Sequence, residues 1–188
     1  MTMKIIVLAA AKGGVGKTTL AAALATAAAL DMPETHVAMV DLDPQGSLTH
    51  WWNDRAEARP RLYELAGLAL PAAIPRLRAL GIGLLFVDCP PGLSLIQRDA
   101  IAVADLVLVP TQASPLDLAA IASSIEMAEA AGVFRCSLGA AWSVALDQAL
   151  NSPAVWRSVR AVLDAAPLGK PGRPKLAPLL PITARGGA

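Results

Sequence analysis

Between residues 11 and 19 the chain reads Ala11-Lys12-Gly13-Gly14-Val15-Gly16-Lys17-Thr18-Thr19. Residue types at this spacing are suited to holding phosphate. Glycine at 13, 14 and 16 lets the backbone curl until its N–H groups converge on anionic oxygens. A helix opening at Thr18 would add the positive end of its dipole. Lys17 can then reach the outer phosphates of a nucleoside triphosphate, and the Thr18 hydroxyl can ligate Mg²⁺. The cradle would comprise Gly13, Gly14, Val15, Gly16, Lys17, Thr18 and Thr19. The usual first glycine of such a loop is Ala11 here. A glycine-rich turn without a ligand is the bland alternative, and the Lys-Thr-Thr continuation argues against it.

Two acidic segments complement the loop: Asp41-Leu42-Asp43-Pro44-Gln45-Gly46 and Asp88-Cys89-Pro90-Pro91-Gly92. Carboxylates so placed can hold Mg²⁺ through its waters and orient an attacking water. Any one of these aspartates could simply cap its own loop. All of them beside a phosphate loop would make a nucleotide–metal site.

That requires elements that bring the three segments to one edge. Residues 4–10 form an apolar, β-branched run, the pattern of a strand buried on both faces. Helix formers follow over 18–30, then a strand over 36–42, helices over 47–56 and 71–80, and strands over 82–87 and 105–109. A helix over 116–131 stops at Gly132. Pro75 is expected to interrupt the helix that contains it. Strands alternating with helices imply an α/β fold, a doubly wound, mainly parallel sheet flanked by helices, whose strands end on one edge. The phosphate loop and both acidic segments follow strands, so all would lie there.

Composition agrees with a packed domain. Of 188 residues 55% are hydrophobic and 16% charged, which excludes a disordered chain. No apolar run approaches the roughly 20 residues of a spanning helix. The faintly signal-like start at Lys4 reads as a strand, because cleavage there would remove the glycine loop. Two cysteines, Cys89 and Cys136, make no disulfide framework, and a reducing cytoplasm fits. Net charge is +1, but residues 1–166 carry 12 basic and 15 acidic side chains, or −3, whereas 167–188 carry four basic and none acidic, or +4. The expected organisation is therefore a domain over 1–166 and a Pro/Gly-rich basic tail over 167–188. The tail either touches nucleic acid or an acidic partner or is merely solvated. Lys170-Pro171-Gly172-Arg173-Pro174-Lys175 within it has the look of an AT-hook.

Over about residues 3–131 the chain resembles the ParA/MinD-type deviant Walker A P-loop ATPases. The most specific match is Lys12, just ahead of Gly13-Gly14. The resemblance implies that Lys12 reaches across a nucleotide-sandwich homodimer to the partner's phosphates, and that Lys17 is the phosphate lysine within the site. It makes Thr18 the Mg²⁺ ligand, puts Asp41 near the metal, and has Asp43 position or activate the hydrolytic water. Asp88 would act on Mg²⁺ through its water ligands, and Pro90, Pro91 and Gly92 would sense the γ-phosphate. The Asp-Pro-Gln-Gly and Pro-Pro-Gly segments look more like the partition branch than the cell-division branch. The implied activity is a cytoplasmic switch using ATP and Mg²⁺. ATP closes a dimer that binds DNA without sequence preference, associating it with nucleoid or plasmid. Slow hydrolysis, stimulated by a ParB-like or other adaptor, releases it. No membrane partner is implied. A metabolic ATP-dependent ligase or synthetase on the same fold, or a truncated relative that only binds nucleotide, are the competing readings.

Beyond residue 131 the pattern thins. Residues 133–138 read as a weak strand, Ser152-Pro153 as a helix start, and 179–183 as a short strand. Either a natural short variant or a slipped reading frame near 133 accounts for this. Trp51 and Trp52 either divide between an anchoring and a partly exposed role or form a partner surface. Cys89 reads as a small apolar residue, and His36 and His50 as surface or loop residues. Arg55, Arg59, Arg61, Arg157 and Arg160 are further candidates for contact with DNA.

Overall fold

The computed structural model describes residues 3–110, a strand at 134–138, and residues 156, 157, 159–161 and 164. Among the described residues, ordered elements run in the sequence β1 (Lys4–Leu8), α1 (Lys17–Asp31), β2 (Val37–Asp41), α2 (Ser47–Asn53), β3 (Arg61–Leu62), α3 (Leu70–Ala79), β4 (Leu84–Asp88), α4 (Leu95–Ala102), β5 (Leu106–Pro110) and β6 (Phe134–Leu138), with further helical residues around Trp156. The strands form one sheet in the order β3-β2-β4-β1-β5-β6 with every neighbouring pair parallel. This is the expected α/β architecture.

The period-two alternation of strand side chains builds two cores. Ile6, Leu8, Met39, Phe86, Leu106 and Leu108 face α1, Leu48 of α2, and Trp156 with Val159. Ile5, Val7, Val40, Leu85, Val87 and Val107 face α3 and α4. Helices thus cover both faces, and parallel strands buried on both sides explain the unbroken apolar runs. Helix α1 can lie close against its face because the residues it buries there are mostly alanines.

The C-terminal helical residues belong to this core. Trp156 packs against Phe86 at 6.1 Å between ring centroids, and its indole N–H donates to Asp31 Oδ2 at 2.9 Å. Arg160 pairs with the same carboxylate at 2.6 Å, and the two donors hold the Asp31 pKa below the ordinary carboxylate value. Trp156 and Arg160 are therefore tied to the end of α1, and β6 pairs with β5 over its full length.

Several expectations need correction. Helix α3 continues through Pro75 rather than breaking there. Pro75 and Pro71 are both exposed, so the hydrogen bond that Pro75 cannot donate leaves a carbonyl facing water. Helix α4 and the two-residue β3 lie where no element was expected. Helix α2 ends at Asn53, short of residue 56. Trp51 and Trp52 do not divide their roles, since both are half-buried against the core. Arg55 lies 4.5 Å over the Trp51 ring, and the Trp52 N–H donates to the Pro60 carbonyl at 2.8 Å. His36 is engaged as well, between the Leu80 carbonyl (3.2 Å) and the Tyr63 hydroxyl (3.1 Å). The expected elements at 116–131 and 179–183, the Ser152 cap and the 167–188 tail lie outside the described residues. Among the described residues no helix is long and apolar enough to cross a membrane.

Candidate nucleotide site

The site grows from the carboxyl edge of β1, β2 and β4. Chain leaving β1 enters the glycine loop and re-emerges as α1, whose first residue is Lys17. Gly14 (φ 73°) and Gly16 (φ 89°) occupy the left-handed region, which glycine enters without the penalty a Cβ brings. Gly16 caps α1 with no side-chain hydrogen bond, leaving the first-turn N–H groups for another acceptor. Lys12, Gly13, Gly14 and Thr19 are exposed, while Val15 and Thr18 are partly buried. Lys17 is buried, with Nζ 3.5 Å from the Lys12 carbonyl oxygen, so the ammonium is folded back into the loop. Burial lowers its pKa, opposed by the charges of Asp88 and then Asp43.

Strand register sets the carboxylates. Asp41 and Asp88 are partners across β2 and β4. Asp88 is fully buried; its Oδ2 accepts the Thr18 hydroxyl at 2.6 Å, and its Oδ1 has no partner. Desolvation pushes its pKa up to about 6 against the Thr18 hydrogen bond, with Asp41 adding to the rise. Asp41 is instead saturated: Oδ1 accepts the Asp43 N–H at 3.0 Å, and Oδ2 accepts the Thr49 N–H and hydroxyl at 2.9 and 3.0 Å. Asp43 sits in the loop so formed, its Oδ1 accepting the Gln45 N–H at 3.0 Å.

The Pro-Pro-Gly segment is tied to the phosphate loop. Gly92 (φ 89°) donates its N–H to the Ala11 carbonyl at 3.0 Å, and a Cβ on Gly13 would meet Pro91 at ordinary contact distance. Behind it, buried Gln97 donates through Nε2 to the Ala10 carbonyl at 3.3 Å. Cys89 is a free, buried thiol whose pKa burial drives up, as an inert apolar residue requires. The structure therefore gathers Lys17, Thr18, Asp41, Asp43, Asp88 and Pro90 to Gly92 beside the glycine loop. Thr49 and Gln97 join them without having been singled out in the sequence. A Ser-x-x-Gln spacing from Ser94, whose hydroxyl does accept the Gln97 N–H, was the available signal for Gln97. Nothing in its residue type marked Thr49.

Does this donor set fit Mg²⁺? Among the described residues no three His, Cys, Asp or Glu side chains converge as a metal cage. Mg²⁺ commonly uses one or two carboxylates together with waters and substrate phosphates, so a cage is not required. An orphaned, buried carboxylate oxygen beside a hydroxyl is the feature a hydrated cation would satisfy. The residues fit.

Comparison with known proteins agrees. The family described as the CobQ/CobB/MinD/ParA nucleotide binding domain matches residues 6–163. Maintenance of carboxysome distribution protein A of Gloeobacter kilaueensis is 38% identical over 127 residues, 66% of this chain and 56% of that protein. The chromosome-partitioning ATPase Soj of Thermus thermophilus is 37% identical over 154 residues, 66% of this chain and 61% of its own length. The chain thus spans less than two thirds of either relative. Among solved structures, a Borrelia burgdorferi plasmid partition protein bound to AMPPNP superposes with a TM-score of 0.60 at 20% identity, covering 74% of this chain and 76% of that one. With a family match that runs from β1 past β6, and a glycine loop and strand-end aspartates in the expected places, the chain belongs to the CobQ/CobB/MinD/ParA family of nucleotide-binding domains.

Proposed function

We propose that this chain is an ATP-dependent, dimerising ATPase switch of the ParA type. In this reading it positions or partitions a cellular cargo through nonspecific DNA binding in the cytoplasm. One observation carries it: an exposed Lys12 precedes a glycine loop whose own lysine, Lys17, is already buried within the site. A site with its phosphate lysine in place has no local need for a second one, whereas a facing nucleotide on another copy would. The relatives named for carboxysome distribution and chromosome partitioning support a positioning role.

The geometry supports the following roles. Loop N–H groups and Lys17 bind the β- and γ-phosphates of ATP. Thr18 would hold Mg²⁺, with Asp88 acting through the ion's waters and Asp41 nearby, and the ion would supply charge neutralisation across the phosphates. Asp43 orients a water whose oxygen attacks the γ-phosphorus as the bond to the β–γ bridging oxygen breaks, giving ADP and inorganic phosphate. The proton of that water leaves toward the Asp43 carboxylate and then solvent. Pro90 to Gly92, hydrogen-bonded to Ala11, respond to the γ-phosphate. Asp41 lies beside Asp88 and holds the loop that carries Asp43. An adaptor of the ParB kind would complete the site and accelerate a slow basal rate.

The DNA footprint narrows. Arg55 is spent on Thr26 (2.9 Å), the Arg59 carbonyl (2.8 Å) and the Trp51 ring, and Arg160 on Asp31. Arg59, which gives one hydrogen bond to the Thr35 carbonyl (3.1 Å), is exposed, as are Arg61 and Arg157; with the basic residues of 167–188 these remain candidates for phosphate contact.

Light scattering with ATP and Mg²⁺, run beside binding to a random duplex, tests the proposal. The parent is expected to convert from monomer to dimer and to bind the duplex only with ATP. Lys12→Ala should bind ATP yet stay monomeric and lose the duplex. A parent that hydrolyses ATP as a monomer and ignores DNA would favour the ligase-type reading. Binding without turnover would favour an inactive relative.

A further inference from the structure

We propose that Thr49 is a positioning residue for Asp43, acting through the carboxylate of Asp41; this rests on the water-orienting role given to Asp43 above. Helix α2 begins after Gly46, a residue with φ 64° and no side chain to cap the helix. The acceptor comes from a distance instead. Oδ2 of Asp41 accepts the Thr49 N–H at 2.9 Å and the Thr49 hydroxyl at 3.0 Å, while Oδ1 of the same group accepts the Asp43 N–H at 3.0 Å. One carboxylate therefore grips both ends of the segment that carries Asp43.

The grip is referenced to the sheet. Asp41 is the last residue of β2, in register with Asp88 of β4, and the next residue, Leu42, donates its N–H to the Asp88 carbonyl at 2.9 Å. Within the segment, Asp43 accepts the Gly46 N–H at its carbonyl (2.9 Å) and the Gln45 N–H at Oδ1 (3.0 Å). Those local bonds fix the shape of the turn but not its placement relative to the end of β2. Placement falls to Asp41, and the orientation of Asp41 is shared by the Thr49 N–H and hydroxyl that both meet its second oxygen. A β-branched side chain suits this task because its χ1 is stiff. Misplacing a catalytic group by about an ångström can cost up to 10²-fold in rate, so a modest tilt of Asp41 would register in turnover.

The experiment compares steady-state ATP hydrolysis, equilibrium ATP affinity and ATP-dependent dimerisation for the full chain and for Thr49→Val, Thr49→Ser and Asp43→Ala. Thr49→Val keeps the shape and the backbone N–H but removes the hydroxyl bond. The expected result is a kcat lowered about tenfold, equivalent to about 1.4 kcal/mol in the barrier, with KM, affinity and dimerisation within twofold of the parent. Thr49→Ser, which restores the hydroxyl, should return to within twofold. A Thr49→Val enzyme with parental kcat overturns the inference, as does an equal loss in Thr49→Val and Thr49→Ser, or a change confined to KM. If Thr49→Val does not fold, Thr49→Cys, with its weak S–H donor, takes its place under the same criteria. Parental turnover in Asp43→Ala would sink the role of Asp43 and this inference with it. An inactive Asp43→Ala beside a fully active Thr49→Val sinks the inference alone. A parent that hydrolyses no ATP refutes both.

Discussion

Two strands lie side by side and each ends in an aspartate at the same level, yet the two carboxylates live differently. Asp41 is half-buried and accepts three hydrogen bonds; Asp88 is fully buried and keeps one oxygen without a partner. The chain that follows each strand makes the difference. Two residues beyond Asp41 comes the N–H of Asp43, which closes onto the carboxylate. Two residues beyond Asp88 comes Pro90, with Pro91 after it, and neither has an N–H to give. The prolines withhold donors that a loop would ordinarily supply to its own strand-end aspartate. A carboxylate starved of donors in this way keeps an oxygen open, whereas its neighbour is tied into the loop that follows it.

The strongest challenge to this contrast is Asp88→Asn. It keeps the shape and the contact with Thr18 but removes the charge offered to Mg²⁺. Magnesium-dependent ATP hydrolysis should fall on the order of 100-fold, the scale of losing one preorganised electrostatic partner. Activity within threefold of the parent would mean that Asp88 is no more than scaffold.

Stability against pH, measured without nucleotide or metal, sharpens the same point. The Asp88 pKa is raised from 3.8 to about 6 in the folded chain. Between those values the folded state binds a proton that the unfolded state has released. Stability contributed by this group is therefore present below about pH 4 and is lost as pH rises to about 6, with no further change above. The span is at most about 3 kcal/mol. Asp88→Asn should abolish that slope and be the more stable protein at neutral pH. A parent whose stability does not fall over this window would show that its carboxyl is satisfied after all.

The smallest expected effect is that of Pro90→Ala. It introduces an N–H two residues after Asp88, a donor like the one Asp41 enjoys. Mg²⁺ should then be needed at several-fold higher concentration for half-maximal turnover, on the scale of one hydrogen bond to a charged group. An unchanged Mg²⁺ requirement would remove the prolines from the explanation.

Most of the sheet was legible because strands buried on both faces are apolar throughout, and the glycine loop was legible because phosphate chemistry restricts residue type so strongly. Helix α4 escaped notice because its first positions, Leu95 and Ile96, are exposed, so hydrophobicity does not mark its buried face. Its Ser94-x-x-Gln97 cap was the usable signal. Pro75 misled because it lies on the exposed side of α3, whose opposite side is held to the core by Leu70, Ala73, Ile74 and Leu77. Of the site, the carboxylates were readable by type and spacing, but the division of labour between Asp41 and Asp88 was not. It depends on Thr49, eight residues on and chemically unremarkable, folding back over the strand end.

Trp156 adds a consequence measured in time. On a ribosome, every described residue of the nucleotide edge has been made once Pro110 is added. The indole that fills the core behind Phe86 arrives about fifty residues later, roughly 2 to 10 s at ordinary rates of elongation. Through that interval the α1 face of the nascent chain lacks the indole that packs against Phe86 in the folded protein. Whatever shields nascent apolar surface has its reason to act here, on this face of the sheet and for that span of synthesis.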